Sequence, residues 1–325
     1  MNKLIERSWP RAPYAIACVG VIGTVALSVL RTVLMPQLWD TDTSRFAANV
    51  PAMLLSVAML ILMAVFALHI SSKRIDVPLS RALPTGSVAV LAGITLGITA
   101  LYDSFRWLVG GTLPAPAQIQ LTLLTRLVLY GLLVFGVLGA VVLVRWGLQI
   151  VSEGGTRCGM STFGALAPVI WAWCRLAWYE MSYASTVGWS EKGYDFLVVI
   201  FEVLFLFKLA RLISGVGKAS LGEMLFYAFS TSAFALSGLV VRLCLYFAGN
   251  ADAYLTSKLV GVADLGLGVL ALMFGFALVH GYREEIAKAR VAEMEEGDEP
   301  YDPSLESLVL FDEESDADAA GYNQP

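Results

Sequence analysis

The sequence predicts an all-α membrane protein, a polytopic bundle of about eight transmembrane helices with an acidic C-terminal tail. The 325 residues are 57% hydrophobic and 15% charged, whereas soluble domains are about 25% charged. Eight apolar segments each approach the ~20 residues that cross a ~30 Å hydrocarbon core. Twelve of the 27 acidic residues lie from Val291 to Pro325, where no basic residue occurs, so the rest of the chain carries 15 acidic against 22 basic residues.

The first apolar segment follows a basic start, as a secretory signal peptide would. It is too long for a signal peptide and lacks a small-residue cleavage site, so it is interpreted as an uncleaved first span. The fourth segment is the longest and is expected to tilt. The predicted spans are residues 13–35, 47–70, 84–110, 119–148, 163–187, 194–213, 223–248 and 256–280.

Basic residues in the short loops predict the orientation, because cytoplasmic loops carry an excess of Lys and Arg. One side has fourteen such residues, including Lys3, Lys73 and Arg283, and the other has three, Arg45, Lys192 and Lys258. Both termini are therefore predicted to be cytoplasmic, and the chain is predicted to be a multi-pass protein of the cell (plasma or cytoplasmic) membrane.

Two domains are predicted. Residues 1–281 form the eight-span transmembrane domain, and residues 282–325 form a cytoplasmic helical extension followed by an acidic tail, which its charge predicts to be disordered. Within the tail, the stretch "SLESLVLF" at 304–311 is apolar enough to bind a cytoplasmic protein partner or the basic inner loops of this chain. The other expected partners are the lipid bilayer and a small-molecule solute, and no feature indicates nucleic acid.

Four fragments indicate an internal repeat of helix hairpins. The fragments "VLRTVLM", "SFRWLVG", "WCRLAWY" and "VVRLCLY" each carry arginine at the third place and lie in odd-numbered spans, 75, 69 and 67 residues apart. Internal repeats are common in transporters. The alternative is that arginine, leucine and aromatic residues recur by chance in a leucine-rich chain.

Ten charged residues fall within the outer half of the predicted spans. A charge at mid-helix costs on the order of 2.5–3.5 kcal/mol on insertion scales, so these side chains are expected to face the bundle interior and find partners. Five arginines and five carboxylates would balance as ion pairs. The ten are Arg31, Asp103, Arg106, Arg126, Arg175, Glu180, Asp195, Glu202, Arg242 and Asp264.

Arg175 is the deepest of these charges and lies close to the predicted midplane. It is about 140° from Glu180 around the helix, so each needs a partner on another helix. Glu202 is the carboxylate nearest in depth to Arg175, and Arg126 is the arginine nearest to Glu180. With charges on two sides, the fifth span is expected to be a central helix.

Arg175 shares a helix face with Trp171, Trp178 and Tyr179. An arginine with aromatic walls suits an outward-facing pocket for a small organic anion or amphipathic solute. The alternative is purely structural pairing of Arg175, which the equal numbers of arginines and carboxylates favour.

The sequence contains no catalytic motif. "GVGKAS" at 215–220 departs from a phosphate-binding loop because Leu212 replaces the first glycine and Ala219 replaces the Ser or Thr. With two histidines, no metal site is expected, and no cofactor is expected. The leading interpretation is a transporter or permease for a small solute. The alternative is a non-transporting sensor or accessory subunit that signals through the acidic tail.

Overall fold

The structure, a computed structural model, describes residues 12–38, 45–70, 84–108, 123–153, 161–182, 189–216, 220–247 and 262–296. The described residues contain eight helices. They are α1 (Ala12–Leu38), α2 (Arg45–Ile70), α3 (Thr85–Leu108), α4 (Leu123–Glu153), α5 (Thr162–Ser182), α6 (Trp189–Ser214), α7 (Leu221–Phe247) and α8 (Val262–Glu296). The chain divides into two compact units, Met1–Tyr282 and Arg283–Pro325.

Among the described residues, six helices are long and apolar enough to cross a membrane, namely α1, α2, α3, α4, α7 and α8. Their outward faces carry large apolar side chains, such as the exposed Ile22, Leu54 and Leu68, as expected where lipid rather than water surrounds a helix bundle. These features are those of an all-helical, multi-pass membrane protein. Helices α5 and α6 are of comparable length, but they hold Arg175, Glu180, Asp195 and Glu202.

Local signals fix several helix ends. Ser161 caps α5, because its hydroxyl accepts a hydrogen bond from the Gly164 backbone N–H at 3.2 Å. Ser220 does the same for α7 through the N–H of Glu223, also at 3.2 Å. Helix α6 ends at Gly215, whose φ of 68° is the left-handed conformation that glycine adopts at helix C-termini.

Helix α8 packs among several others at the core of the first unit. Its Phe274 contacts Trp146 of α4 and Phe205 of α6, with ring centroids 6.1 and 5.9 Å apart. Gly266 of α8 lies so close to α3 that an added Cβ would sit 2.0 Å from the Thr95 Oγ1. Helix α7 pairs with α1, α2 and α6, while α3, α4, α5 and α6 pack in chain order.

Helix α5 differs from the expectation of a central helix. Trp173 is 58% exposed and Glu180 is also exposed, so one face of α5 lies on the bundle surface. The prediction assumed that both charges of α5 needed a buried partner. In the part of the chain that the structure describes, Arg175 has such partners, whereas Glu180 lies on the bundle surface.

Candidate functional site

Arg175 lies at the centre of the buried charges. Its side chain is 6% exposed. The Nη1 donates a hydrogen bond to the Oε2 of Glu202 at 2.8 Å, and the Nη2 lies 2.5 Å from the Oδ1 of Asp264. Arg175 therefore pairs with Glu202, the partner predicted from the depth of the two residues in their spans. It also pairs with Asp264, which that comparison did not predict.

A second arginine joins the same group. The Nη2 of Arg242 donates to the Oδ1 of Asp195 at 2.5 Å, and its Nη1 lies 3.7 Å from the Oδ2 of Asp264. Arg175, Asp195, Glu202, Arg242 and Asp264 are called the charge cluster below. The cluster links one residue or more from each of α5, α6, α7 and α8, with Asp264 contacting both arginines.

Helix position explains why three of these side chains, Arg175, Arg242 and Asp264, lie at a similar level. Arg175 lies seven residues before the end of α5 at Ser182, and Arg242 lies five residues before the end of α7 at Phe247. Asp264 is in the first turn of α8. At 1.5 Å per residue, the arginines lie roughly 8–10 Å from those ends, so the antiparallel helices bring the charges to one level of the bundle.

Glu202 is the most enclosed member of the cluster. It is 0% exposed, and its Oε1 has no hydrogen-bond partner among the described residues. Its Oε2 accepts from the Arg175 Nη1, while the Nη2 of the same guanidinium group faces the Oδ1 of Asp264. Two carboxyl groups therefore lie against one guanidinium group at a place that water does not reach.

Aromatic side chains enclose Arg175, as the shared helix face predicted. The Arg175 Cζ lies 5.4 Å from the Trp171 ring centroid and 5.6 Å from that of Tyr179, within the range of cation–π contact. Trp171, Trp178 and Tyr179 are all buried. In this conformation the aromatic wall and the two carboxylates close around Arg175, so the predicted pocket is not open at that residue.

A neighbouring polar contact joins three helices beside the cluster. The Cζ of Arg31 lies 4.1 Å from the ring centroid of Tyr194, and the Tyr194 hydroxyl lies 3.4 Å from the Ser56 Oγ. Tyr194 immediately precedes Asp195 in α6, so this contact adjoins the cluster along the chain. Neither Ser56 nor Tyr194 is charged, so a count of charges along the predicted spans does not identify them.

Arg126 and Glu180 differ from the other predicted charges. Both are exposed and form no ion pair with each other, so the expected pairing and the expected interior position are wrong for these two. Arg126 is in the first turn of α4 and Glu180 in the last turn of α5, where a charge can reach the interface. The side chains of Asp103 and Arg106 lie outside those that the structure describes.

A separate groove lies between α3 and α4 and does not include the charge cluster. It has a volume of about 430 Å³ and is almost wholly apolar. Its lining residues are Gly93, Ile94, Gly97, Ile98, Ala140, Val141, Val144, Arg145 and Leu148.

Comparison with known proteins gives no relative from which a role could be transferred. No family model matches the chain, and neither a curated protein nor a solved structure matches it. The chemistry of the charge cluster is therefore the basis for a functional conclusion.

Proposed function

We propose that the protein is a transporter or permease for a small solute, organised around the charge cluster. In this proposal all eight helices cross the cell membrane, and both termini are cytoplasmic. The observation that carries the proposal is that five charged side chains from four helices meet in the interior of an otherwise apolar bundle.

Energetics favours a role beyond scaffolding. Well-packed apolar residues often stabilise a buried site as well as an ion pair does, or better. Charges inside a membrane span are costly, and by default they mark solute or ion pathways. The Arg175 guanidinium, with aromatic walls, is a suitable group for an anionic or amphipathic solute that displaces Glu202 or Asp264.

Contacts within the cluster also suit a change of conformation. Asp264 lies 2.5 Å from Arg175 and 3.7 Å from Arg242, so a small shift of α8 would exchange its closer partner. Alternating access requires two discrete arrangements of packed helices. The pair of Asp264 with Arg175 and the alternative pair of Asp264 with Arg242 would be two such arrangements of similar energy.

A sensor or accessory subunit is the second candidate. The cluster lies near the ends of α5 and α7 that the loop charges place outside, and the acidic tail from Val291 to Pro325 is predicted to be cytoplasmic. In that case an external ligand would act on the cluster, and the tail would bind a protein partner.

Thiol accessibility separates these candidates. Ala172 is fully buried and lies three residues before Arg175 on the same face of α5. Ala172→Cys, in a chain whose four native cysteines are replaced, would be treated with a charged, membrane-impermeant thiol reagent in right-side-out and inside-out vesicles. A transporter is expected to react from both sides, because the path through the bundle opens alternately.

Val141→Cys is the matched control, since Val141 is exposed on the apolar surface of α4. A lipid-facing thiol should not react with a charged reagent from either side. Reaction of Ala172→Cys from the outside alone would favour the sensor. An unreactive Ala172→Cys in both vesicle types would overturn the transport proposal.

A further inference from the structure

The charge cluster contains more carboxylates than arginines. Arg175 and Arg242 supply two positive charges, whereas Asp195, Glu202 and Asp264 supply three carboxyl groups. Asp195 lies 2.5 Å from Arg242, while Glu202 and Asp264 both face Arg175, at 2.8 and 2.5 Å, and Asp264 also lies 3.7 Å from Arg242. Two ionised carboxylates at one buried guanidinium repel each other, and one of them is driven to the neutral form.

Hydrogen bonding indicates the same state. An ionised carboxylate only accepts hydrogen bonds, whereas a protonated carboxyl group can also donate one. The Glu202 Oε1 and both carboxyl oxygens of Asp264 are buried and have no hydrogen-bond partner among the described residues. A proton bound to this pair would supply a donor and would remove one of the two negative charges beside Arg175.

The surroundings distinguish the two acids. Asp264 lies near both arginines, at 2.5 and 3.7 Å, whereas Glu202 lies near Arg175 alone. Glu202 is also the more deeply buried, at 0% exposure. Glu202 therefore has fewer cationic neighbours and less contact with solvent, and both conditions favour its neutral form.

We propose that Glu202 and Asp264 form a proton-binding site at the Arg175 guanidinium group, in which Glu202 carries the proton. Charged and titratable side chains that act on this pair come from each packed helix of the cluster. They are Arg175 and Tyr179 of α5, Asp195 of α6 and Arg242 of α7. With one proton bound, the five cluster residues carry no net charge.

This site gives the proposed transporter a coupling ion. When the proton leaves, the cluster gains a negative charge, and the pull of Asp264 and Glu202 on Arg175 increases. Binding of a proton would weaken the attraction between Arg175 and its carboxylates, and an anionic solute would compete with those carboxylates for Arg175. Both would therefore favour the release of Arg175. The role of the proton in coupling rests on the proposed function, but binding of the proton does not.

Infrared spectroscopy of the purified full-length protein tests proton binding directly. The carbonyl band of a protonated carboxylic acid would be followed between about pH 5 and about pH 9, a range in which ordinary surface carboxyl groups are mostly ionised. The wild type is expected to show one such acid that titrates, and Glu202→Gln is expected to lose it. Glu180→Gln, which changes an exposed carboxylate of α5, is the matched control and should retain the band.

Asp264→Asn supplies a second, independent variant. Without the Asp264 charge, Glu202 is free to ionise against Arg175, so its affinity for the proton should fall by about tenfold or more, with the titration midpoint about one pH unit lower. The proposal is overturned if the wild type shows no protonated acid, if the band survives in Glu202→Gln, or if Asp264→Asn leaves the midpoint unchanged.

The two proposals can fail separately. If Ala172→Cys reacted from one side only and the titrating band were present, the transport proposal would fail and the proton site would stand. If the band were missing and Ala172→Cys reacted from both sides, the proton site would fail and the transport proposal would stand.

Discussion

At the scale of single residues, Arg175 pairs with both Glu202 and Asp264. These two contacts determine how much the free energy of unfolding should fall when Arg175 is replaced. Loss of one partner from a buried ion pair leaves an uncompensated charge, which typically costs roughly 3–5 kcal/mol. Arg175→Leu is therefore expected to lower the free energy of unfolding by about that amount. Thermal unfolding in detergent is the measurement.

The compensating change should differ between the two carboxylates. If Glu202 carries a proton, Asp264 is the ionised partner of Arg175, so Arg175→Leu with Asp264→Leu should recover more stability than Arg175→Leu with Glu202→Leu. Arg126→Leu is the control, because Arg126 is exposed in the first turn of α4. Its effect should stay within about 0.5 kcal/mol, as for most surface substitutions. Equal recovery in the two double variants would contradict this assignment.

Sequence reasoning found part of this site. Depth along the helices could be counted from the predicted spans, and it correctly paired Arg175 with Glu202. The contacts of Asp264 with two arginines could not be predicted, because they depend on which helices are neighbours and how each is rotated. The same missing information explains why the expected pair of Arg126 and Glu180 does not form.

At the scale of helices, glycine determines how closely α3 and α4 approach. A Cβ added to Gly93 would lie 2.8 Å from the backbone oxygen of Ala140, which cannot move without moving α4. A Cβ added to Gly97 would lie 3.2 Å from the Ala140 Cβ, a tight contact that a small shift can relieve. The GxxxG spacing of these glycines identifies a close helix contact, but only the structure distinguishes the two positions.

Gly93→Ala is therefore expected to destabilise the protein more than Gly97→Ala. The first substitution must separate the backbones of α3 and α4, whereas the second can be accommodated within the groove between them. Overpacking of this kind typically costs about 1–3 kcal/mol. Melting temperatures of the two alanine variants provide the comparison, and an equal or larger loss for Gly97→Ala would show that the helix backbones yield easily.

A surface ion pair between α6 and α7 should matter much less than the charge cluster. Lys208 pairs with Glu223, whose side chain is 47% exposed. Exposed pairs contribute about 0–1 kcal/mol. Glu223→Gln removes the charge but keeps an amide that can still act in the first turn of α7. Its unfolding free energy should fall by less than about 1 kcal/mol, and a larger loss would mean that this pair is shielded from solvent.

At the scale of the whole molecule, the length and hydropathy of the segments were sufficient to predict an all-helical membrane protein. Each predicted span falls on one helix of the described residues, and six of these helices are apolar enough to cross a membrane. The central position of α8 was not predictable. Contacts such as those of Phe274 with Trp146 and Phe205 determine which helices are neighbours. The composition of the apolar segments, which is similar in all of them, does not specify those contacts.

The orientation of the molecule is the last prediction, and it follows from the loop charges rather than from the packing. Fourteen basic residues against three predict that both termini are cytoplasmic. This orientation also places the charge cluster nearer the outer face, since α5 and α7 would both run outward. A reporter active only in the cytoplasm should therefore give a signal when fused at Pro325 and none when fused near Gly111. A reporter active only outside should give the reverse, and a cytoplasmic signal at Gly111 would contradict the predicted orientation.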